Sequence, residues 1–383
     1  MRKILNLIIL ASCIATLSSC EDDKDPVTVA NGFEMRSSAI PAPFALLPIN
    51  DANKVISITW DKSDNGVANP NATYTIEIAA SGTNFAAPLT MNNGANVVPA
   101  FSYDLYVSEL NKLANQLPTY VCGQEMTVDI RVKSVLGSGF ANAFAQYSSN
   151  FITLKFTPYS TLLPTMHFAT VAPSATATAN LASSSILTSD YEGYMWLEPG
   201  AYKFYKSNSC GTFETPVVYG GNGTGTIAEN GAAYQVVTAG FYLVKADLTA
   251  ATYSVKAVSW NFFGPAKTSF TGANTALVYD PASGLWKSYN SAASTSVVTL
   301  GGGFGIQFRA TATPAASGIV LGAYDPAKTG DQYAGPTMSY GNSLDEAYLF
   351  VPGTRTPRVN SGFIVTLDLR SPRNYKYSIT PAP

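Results

Sequence analysis

The chain has 383 residues, of which 46% are hydrophobic and 12% aromatic, whereas only 13% are charged. Its formal net charge of −2 gives no electrostatic basis for binding nucleic acid, so we expect no nucleic-acid partner. Low charge with many aromatic, β-branched and turn-forming residues predicts an all-β extracytoplasmic protein of two or three domains.

The amino terminus has the layout of a secretory signal peptide. Arg2 and Lys3 precede an apolar segment, residues 4–15, which is too short to span a bilayer. Leu17-Ser18-Ser19-Cys20 then resembles a bacterial lipobox. We therefore expect residues 1–19 to be removed and Cys20 to carry the lipid that anchors the protein to a membrane. The alternative is an ordinary cleaved signal with an incidental cysteine.

An acidic run, Glu21-Asp22-Asp23-Lys24-Asp25, follows the predicted lipid anchor. It resembles the surface-export signal of Bacteroidetes lipoproteins, and a plain solvated tether is the alternative. Residues 20–39 have no hydrophobic periodicity, which predicts a flexible stalk. These features together predict an outer-membrane lipoprotein that faces the cell exterior.

Residues 40–158 have the pattern of a small β-sandwich. Residues 55–60 and 73–78 are alternating strands, and the first places Ile56, Ile58 and Trp60 on one face. Residues 108–117 are the exception, because their leucines recur at helical spacing and Ser108 is a candidate cap. Short strands with a buried Trp predict an immunoglobulin or fibronectin-like domain here.

The second half of the chain contains an internal repeat. Its unit is a Gly-led strand, an Asp-containing turn and a return strand, at residues 240–255 and again at 362–377. Segments that contain Trp196 and Trp286 precede these hairpins in the same order. We therefore expect two related β-sandwich domains at residues 159–257 and 258–383.

Residues for catalysis are scarce. His167 is the single histidine, so a Ser or Cys nucleophile has no well-supported base. The sparse carboxylates form no pair that the sequence identifies as a glycosidase acid and nucleophile. Cys122 and Cys210 lie 88 residues apart and in different predicted domains, so a structural disulfide between them is possible but not expected, and two cysteines make no zinc cluster. We expect no catalytic residues, metal or cofactor.

The first domain resembles the amino-terminal domain of the SusE/SusF family of glycan-binding outer-membrane lipoproteins. The stretches that carry the resemblance are Ser57–Trp60, Tyr74–Ile78, Glu109–Asn111, Ile130–Lys133, Ser149–Leu154 and Thr157–Tyr159. The resemblance implies that the later sandwiches are carbohydrate-binding-module-like domains that bind a polysaccharide such as starch or a related glycan. It also implies a TonB-dependent SusC-like porin and a SusD-like lipoprotein as partners. The openings of the later domains, at 166–170 and 258–264, keep only part of the family pattern.

Glycan binding needs aromatic rings that stack on sugar C–H faces and planar polar groups that bond hydroxyls. In the last domain the candidates are the platforms Trp286, Tyr324 and Tyr333, with Arg309 and Asp331. In the middle domain they are Trp196, Tyr205, Phe213 and Tyr219, with Lys206 and Asn222. Duplicated core residues are the alternative interpretation of Trp196 and Trp286.

The leading hypothesis is a non-catalytic surface lipoprotein that captures polysaccharide for an uptake system. A structural or assembly lipoprotein whose sandwiches bind protein is the second. A glycoside hydrolase ranks third, because a base or a carboxylate pair is missing.

Overall fold

A computed structural model describes residues 32–64, 72–91, 101–136, 145–221, 223–263, 274–288, 305–313, 320–322, 339–341, 349–350 and 363–381. The chain divides into two compact units, Met1–Tyr159 and Ser160–Pro383. Cys20 lies outside the described residues.

The first unit consists mainly of short strands. Its strands are β1 (Met35–Ser37), β2 (Phe44–Ala45), β3 (Lys54–Trp60), β4 (Ala72–Ala80), β5 (Leu89–Thr90), β6 (Ser102–Tyr106), β7 (Met126–Leu136), β8 (Gln146–Tyr147) and β9 (Ile152–Thr157). A 3-10 turn, Pro48–Asn50, and one α-helix, α1 (Val107–Ala114), complete the described elements.

Two sheets enclose the core of the first unit. Of the described strands, three form a sheet in the order β1-β3-β6, and six form a second, β2-β9-β7-β4-β5 with β8 on β7. Ile56, Ile58 and Trp60 of β3 pack into one core with Ile76 and Ile130 of the larger sheet. The predicted face of β3 is thus confirmed, and the unit is a β-sandwich.

Helix α1 follows directly on β6. Leu110 and Leu113 are buried, as helical spacing predicts, and Leu117 is buried just beyond the helix. The predicted cap was wrong, because the N-cap is Tyr106, whose side chain makes no capping bond, and Ser108 lies inside the helix.

The second unit continues the all-β pattern, which confirms the predicted fold class. Its described strands are β10 (Thr165–Ala169), β11 (Leu181–Ala182), β12 (Asp190–Leu197), β13 (Gly200–Lys206), β14 (Val217–Gly221), β15 (Ile227–Glu229), β16 (Tyr234–Val236), β17 (Gly240–Asp247), β18 (Thr252–Phe263), β19 (Asn274–Ala276), β20 (Val278–Asp280), β21 (Leu285–Lys287), β22 (Gly305–Thr313), β23 (Val320–Gly322), β24 (Ser339–Gly341), β25 (Leu349–Phe350), β26 (Phe363–Asp368) and β27 (Lys376–Pro381).

Most of these strands belong to one long sheet. Fourteen of the described strands form it, in the order β15-β14-β13-β10-β11-β12-β17-β18-β22-β23-β24, with β16, β19 and β25 pairing with β13, β18 and β22. The other four form a second sheet, β20-β21-β26-β27.

Two hydrophobic cores lie on opposite faces of β12 and β17. Along β17, Phe241 and Leu243 enter one core, whereas Val244 and Ala246 enter the other. Successive side chains of a strand face opposite sides, so both faces of this strand are buried. The amino-terminal core is formed by residues such as Met166, Phe168, Tyr191, Phe204 and Tyr253. The carboxy-terminal core is formed by residues such as Tyr194, Trp260, Trp286, Phe308 and Tyr375.

The two predicted hairpins are present. Strands β17 and β18 pair with Asp247 opposite Thr252, and β26 and β27 pair with Asp368 opposite Lys376. The expected boundary between residues 257 and 258 falls inside β18, which pairs with both β17 and β22. The division into two sandwich domains stays a prediction, and a chain break at that point would cut a paired strand.

Two further features bear on the sequence-based expectations. Cys122 and Cys210 are both disulfide-bonded, which corrects the expectation drawn from their separation in sequence. Across the parts of the chain that the structure describes, no helix has the length and apolar character needed to cross a bilayer.

Candidate functional site

Four aromatic side chains form a contiguous cluster at one end of β12 in the second unit. Trp196 stacks on Tyr279, and Tyr279 in turn contacts Phe241 and Trp286. Strand register explains the arrangement, because Trp196 lies opposite Phe241 in the β12–β17 ladder and Tyr279 lies opposite Trp286 in the β20–β21 ladder. We call the surface formed by Trp196, Tyr279 and Glu198 the Trp196 platform.

Trp196 is the exposed member of the cluster. Its ring lies parallel to that of Tyr279, at an interplanar angle of 4° and a centroid distance of 5.4 Å. The side chain is 41% exposed. Its Nε1–H donates a 2.7 Å hydrogen bond to Oε1 of Glu198, which fixes the plane of the indole. An oriented, half-exposed indole suits stacking against an apolar ligand face.

Charged side chains lie beside Tyr279. Asp280 accepts a 2.6 Å bond from Lys287 Nζ and a 2.7 Å bond from the Ser283 hydroxyl. These bonds lower the pKa of Asp280 to about 2. Arg370 donates to both carboxylate oxygens of Asp368, which lowers the pKa of Asp368. The pKa of Tyr279 is raised by burial and then by the charge of Asp280. The platform therefore has ionised, planar polar groups beside its rings.

Trp286 does not serve as a glycan platform, which corrects the sequence-based candidate. It is 6% exposed and packs edge-on against Phe241 at 5.2 Å in the carboxy-terminal core. Its register also differs from that of Trp196. Trp286 lies opposite Leu367, one residue before Asp368, so its counterpart in the first hairpin is Tyr191, opposite Ala246. A stacking platform needs an open ring face, and burial removes that face from Trp286.

Two further aromatic candidates are wrong for the same reason. Tyr205 is 7% exposed and Phe213 is 1% exposed, so neither offers a ring to solvent. Phe213 packs edge-on against His167, at 6.0 Å between ring centroids. Burial raises the pKa of Tyr205. Both rings fill the protein interior and are not binding surfaces.

The remaining candidates divide into half-buried residues and residues outside the description. Tyr219 lies on β14 and Lys206 on its pairing partner β13. Arg309 lies on β22, opposite Asn261 of β18. These three stay predictions. The candidates that lie outside the described residues are Asn222, Tyr324, Asp331 and Tyr333.

Sequence pattern alone did not indicate Tyr279, Phe241 and Glu198 as members of the site. A signal for Tyr279 was present, because Asp280-Pro281-Ala282-Ser283-Gly284 is a turn that folds β20 back on β21. Gly284 has a φ of +70°, which favours glycine, so the glycine in the sequence indicates the position of the turn. Counting back from that turn places Tyr279 opposite Trp286.

No metal centre accompanies the platform in the described parts of the chain. No group of three or more His, Cys, Asp or Glu side chains there is arranged to hold an ion.

Residues 22–133 match the family model described as SusE outer membrane protein. This part of the chain is similar to the SusE family. The match runs from the predicted tether through the first unit into β7, and it supports an outer-membrane location. The Trp196 platform lies beyond the matched residues, so the SusE family match does not itself assign a role to it.

Among solved structures, the chain is similar to the crystal structure of SusF from Bacteroides thetaiotaomicron. The sequence identity is 11% and the TM-score 0.22, over 92% of this chain and 77% of that chain. A similarity of this size carries no argument about fold or function. No curated protein matches the chain.

Proposed function

We propose that the protein is a non-catalytic, cell-surface lipoprotein that binds polysaccharide for a Sus-like glycan uptake system. The observation that carries the proposal is the Trp196 platform, with its parallel Trp196–Tyr279 pair and exposed indole. A sugar ring presents C–H groups on its face and hydroxyls at its rim. Glu198 lies where it can accept hydrogen bonds from such hydroxyls, and Trp196 offers the stacking face.

The cluster beneath the platform supports binding through preorganisation. Trp286 and Phe241 pack edge-on at 5.2 Å, and both contact Tyr279. Tyr279 is therefore held from behind, and Trp196 is held by Tyr279 and by Glu198. A ring that is already fixed loses little conformational freedom when a ligand binds, which favours affinity.

The charges near the platform favour binding over hydrolysis. A glycosidase needs one carboxylic acid with a raised pKa to protonate the leaving oxygen. Asp280 and Asp368 instead have lowered pKa values because Lys287 and Arg370 bond to them. They stay ionised at neutral pH, so they are suited to accept hydrogen bonds and unsuited to act as acids.

The proposed location and partners extend the SusE family match. A lipid on Cys20 would anchor the chain to the outer membrane, and the acidic run after it would direct the protein to the cell exterior. A TonB-dependent SusC-like porin and a SusD-like lipoprotein would receive the captured glycan. These partners rest on the family resemblance.

Affinity electrophoresis tests the proposed function. The lipid-free protein is run in native gels that contain soluble starch, xylan, galactomannan, laminarin or pectin. We expect at least one glycan to retard it. Trp196→Ala should weaken that retardation, raising the Kd of the site at least about tenfold, because a buried contact to Trp contributes roughly 2 kcal/mol or more.

The control is Leu187→Ala, because Leu187 is an exposed apolar side chain of the same unit. It should migrate like the wild-type protein in every gel. Equal retardation of Trp196→Ala and wild type would contradict the assignment of the platform. Absence of retardation by all five glycans would contradict the proposed function, and released sugar would support the hydrolase instead.

A further inference from the structure

The first unit has an open groove on the outer face of its six-stranded sheet. Its volume is about 450 Å³, within the ~300–1,000 Å³ range of small-molecule sites. We call it the Arg131 groove, and its principal lining residues are Asn84, Phe85, Asp129, Arg131, Tyr147 and Phe151. They come from the β4–β5 connection, from β7 and from the segment around β8 and β9. Asp129 and Arg131 alternate along β7 with core residues, so they face away from the core.

Arg131 organises the wall of the groove. Its guanidinium carbon lies 4.2 Å from the ring centroid of Phe85 and 3.9 Å from that of Tyr147. Its Nε and Nη2 donate to Oε2 of Glu77 at 2.8 and 2.7 Å. Two aromatic rings thus pack against the guanidinium, and Glu77 compensates its charge. Arg131 therefore holds two rings in place and offers no free charge for an anionic ligand.

The backbone beside the groove is strained. Asn84 and Phe85 have φ angles of +49° and +54°, in the left-handed region that costs non-glycine residues about 1–2 kcal/mol each. A bulky residue such as Phe is rare there. The strained pair is what places Phe85 over Arg131. Strain of this kind persists where the surrounding structure over-determines it, and it is frequent at binding sites.

Two rings of the groove are open to solvent. Phe151 is 58% exposed and packs edge-on to Phe85 at 6.5 Å, and Tyr147 is also exposed. Exposed polar residues, including Ser81 and Asn84, border these rings. Among the lining residues, Asp129 accepts a 2.8 Å hydrogen bond from the Thr153 hydroxyl. Apolar ring faces bordered by hydroxyl, amide and carboxylate groups match a polyhydroxylated ligand, whose hydroxyls can donate to the Asp129 carboxylate.

An added peptide strand fits the groove less well. Strand addition needs unpaired backbone groups along an edge. The amide of Ser148 already donates to the carbonyl of Val132, and the amide of Ser149 donates to the carbonyl of Phe33, both at 2.9 Å. These groups are not available to pair with an incoming chain.

We infer that the Arg131 groove is a second oligosaccharide site, in which Phe151 is the stacking face and Asp129 and Asn84 accept or donate hydrogen bonds. The ligand class is the one proposed for the Trp196 platform, so this inference rests on the proposed function. The two sites belong to different units, and each can be removed without altering the other.

The test uses affinity electrophoresis of the full lipid-free chain in the same five glycans. In a Trp196→Ala background we expect residual retardation by at least one glycan, and Phe151→Ala should remove it. Phe151 is largely exposed, so its truncation should leave the melting temperature nearly unchanged. Ser81→Arg is a second variant, because Ser81 is an exposed lining residue and a long side chain there adds bulk to the groove while leaving its rings unmutated. It should also remove the residual retardation.

The matched control is Tyr106→Ala, since Tyr106 is another exposed aromatic residue of the same unit, outside the groove. It should keep the residual retardation. If Trp196→Ala alone abolishes all retardation, the groove is not a glycan site and the platform assignment is retained. The groove is also not a glycan site if, in the Trp196→Ala background, Phe151→Ala keeps the residual retardation as Tyr106→Ala does. If Phe151→Ala abolishes retardation and Trp196→Ala has no effect, the groove stands and the platform assignment fails. No retardation of the wild type overturns both.

Discussion

Trp196 and Trp286 are the same residue type in similar sequence surroundings, yet one is 41% exposed and the other 6%. Trp196, in β12, lies opposite the end of β17 that is far from the turn at Asp247. Trp286, in β21, lies opposite β26 next to the turn at Asp368. The two residues therefore contribute differently. We expect Trp196 to act in binding, and Trp286 to act in folding and in support of Tyr279.

Trp286→Ala should lower the free energy of unfolding by about 3–5 kcal/mol, because it empties a packed core site. Trp286→Phe keeps most of the apolar volume and should cost less. Urea unfolding of both variants measures the difference. An unchanged midpoint for Trp286→Ala would contradict the core assignment and restore Trp286 as a surface platform.

Tyr375 is a second residue whose burial has a measurable consequence. Burial, and then the negative charge of Glu192, raise its pKa well above the ordinary value of 10.0. The native state keeps the phenol proton, whereas the unfolded chain loses it near pH 10. The contribution of Tyr375 to the free energy of unfolding is therefore fully present below pH 10 and is lost as the pH rises above it.

Tyr375→Phe removes this titration. Between pH 10 and 11 the unfolding free energy of the variant should fall less steeply than that of the wild type, by up to about 1.4 kcal/mol per pH unit. Urea unfolding at a series of alkaline pH values makes the comparison. Identical slopes in the two proteins would show that Tyr375 ionises as easily in the native state as in the unfolded chain.

At the scale of elements, the turn of the β26–β27 hairpin is tied to β12 by Arg373. Its Nη2 donates to the backbone oxygen of Asp190 at 2.8 Å and to the Asp190 carboxylate at 3.1 Å. Glu192, buried beside it, is paired with Lys245 at 2.9 Å and accepts a bond from Tyr375. This polar network holds the second sheet against the strand that carries Trp196.

Two arginines of that turn make a matched pair for mutation. Arg373→Ala should lower the unfolding free energy by about 1.5–3 kcal/mol, because charge-assisted bonds in a largely buried setting are lost. Arg370→Ala removes a guanidinium that is 60% exposed and paired with Asp368. It should cost less than about 1 kcal/mol. Equal costs for the two variants would contradict the anchoring role of Arg373.

Local pattern predicted several elements correctly. The alternation of Ile56, Ile58 and Trp60 gave the buried face of β3, and the Asp-containing turns gave both hairpins. The expected boundary at 257–258 could not be judged from the repeat alone. Residues 252–263 contain no Gly or Pro, so local sequence favours one continuous strand, as observed for β18. The hydrophobic pattern did not predict the pairing register between strands, and that register decides which Trp is exposed.

Across the chain, a first unit that matches the SusE model over most of its length is followed by a second unit whose strands β12 and β17 contribute to two cores. The two proposed binding sites lie in different units, the Trp196 platform in the second and the Arg131 groove in the first. Sequence composition predicted the all-β class, because fold class depends on the average residue composition of the chain. It did not predict the groove, whose rings come from segments more than 60 residues apart and meet only through pairing around β7.

The indole N–H signals of the protein report directly whether Trp196 contacts the glycan, as we propose. The chain has four Trp residues, and Trp60, Trp260 and Trp286 are buried whereas Trp196 is exposed. A two-dimensional ¹H–¹⁵N NMR spectrum should show four indole signals, with Trp196 assigned as the one missing from Trp196→Ala. Addition of oligosaccharides from a glycan that retards the protein should shift the Trp196 signal and leave the other three in place. A Trp196 signal that stays unmoved at saturating oligosaccharide would contradict a contact between Trp196 and the glycan.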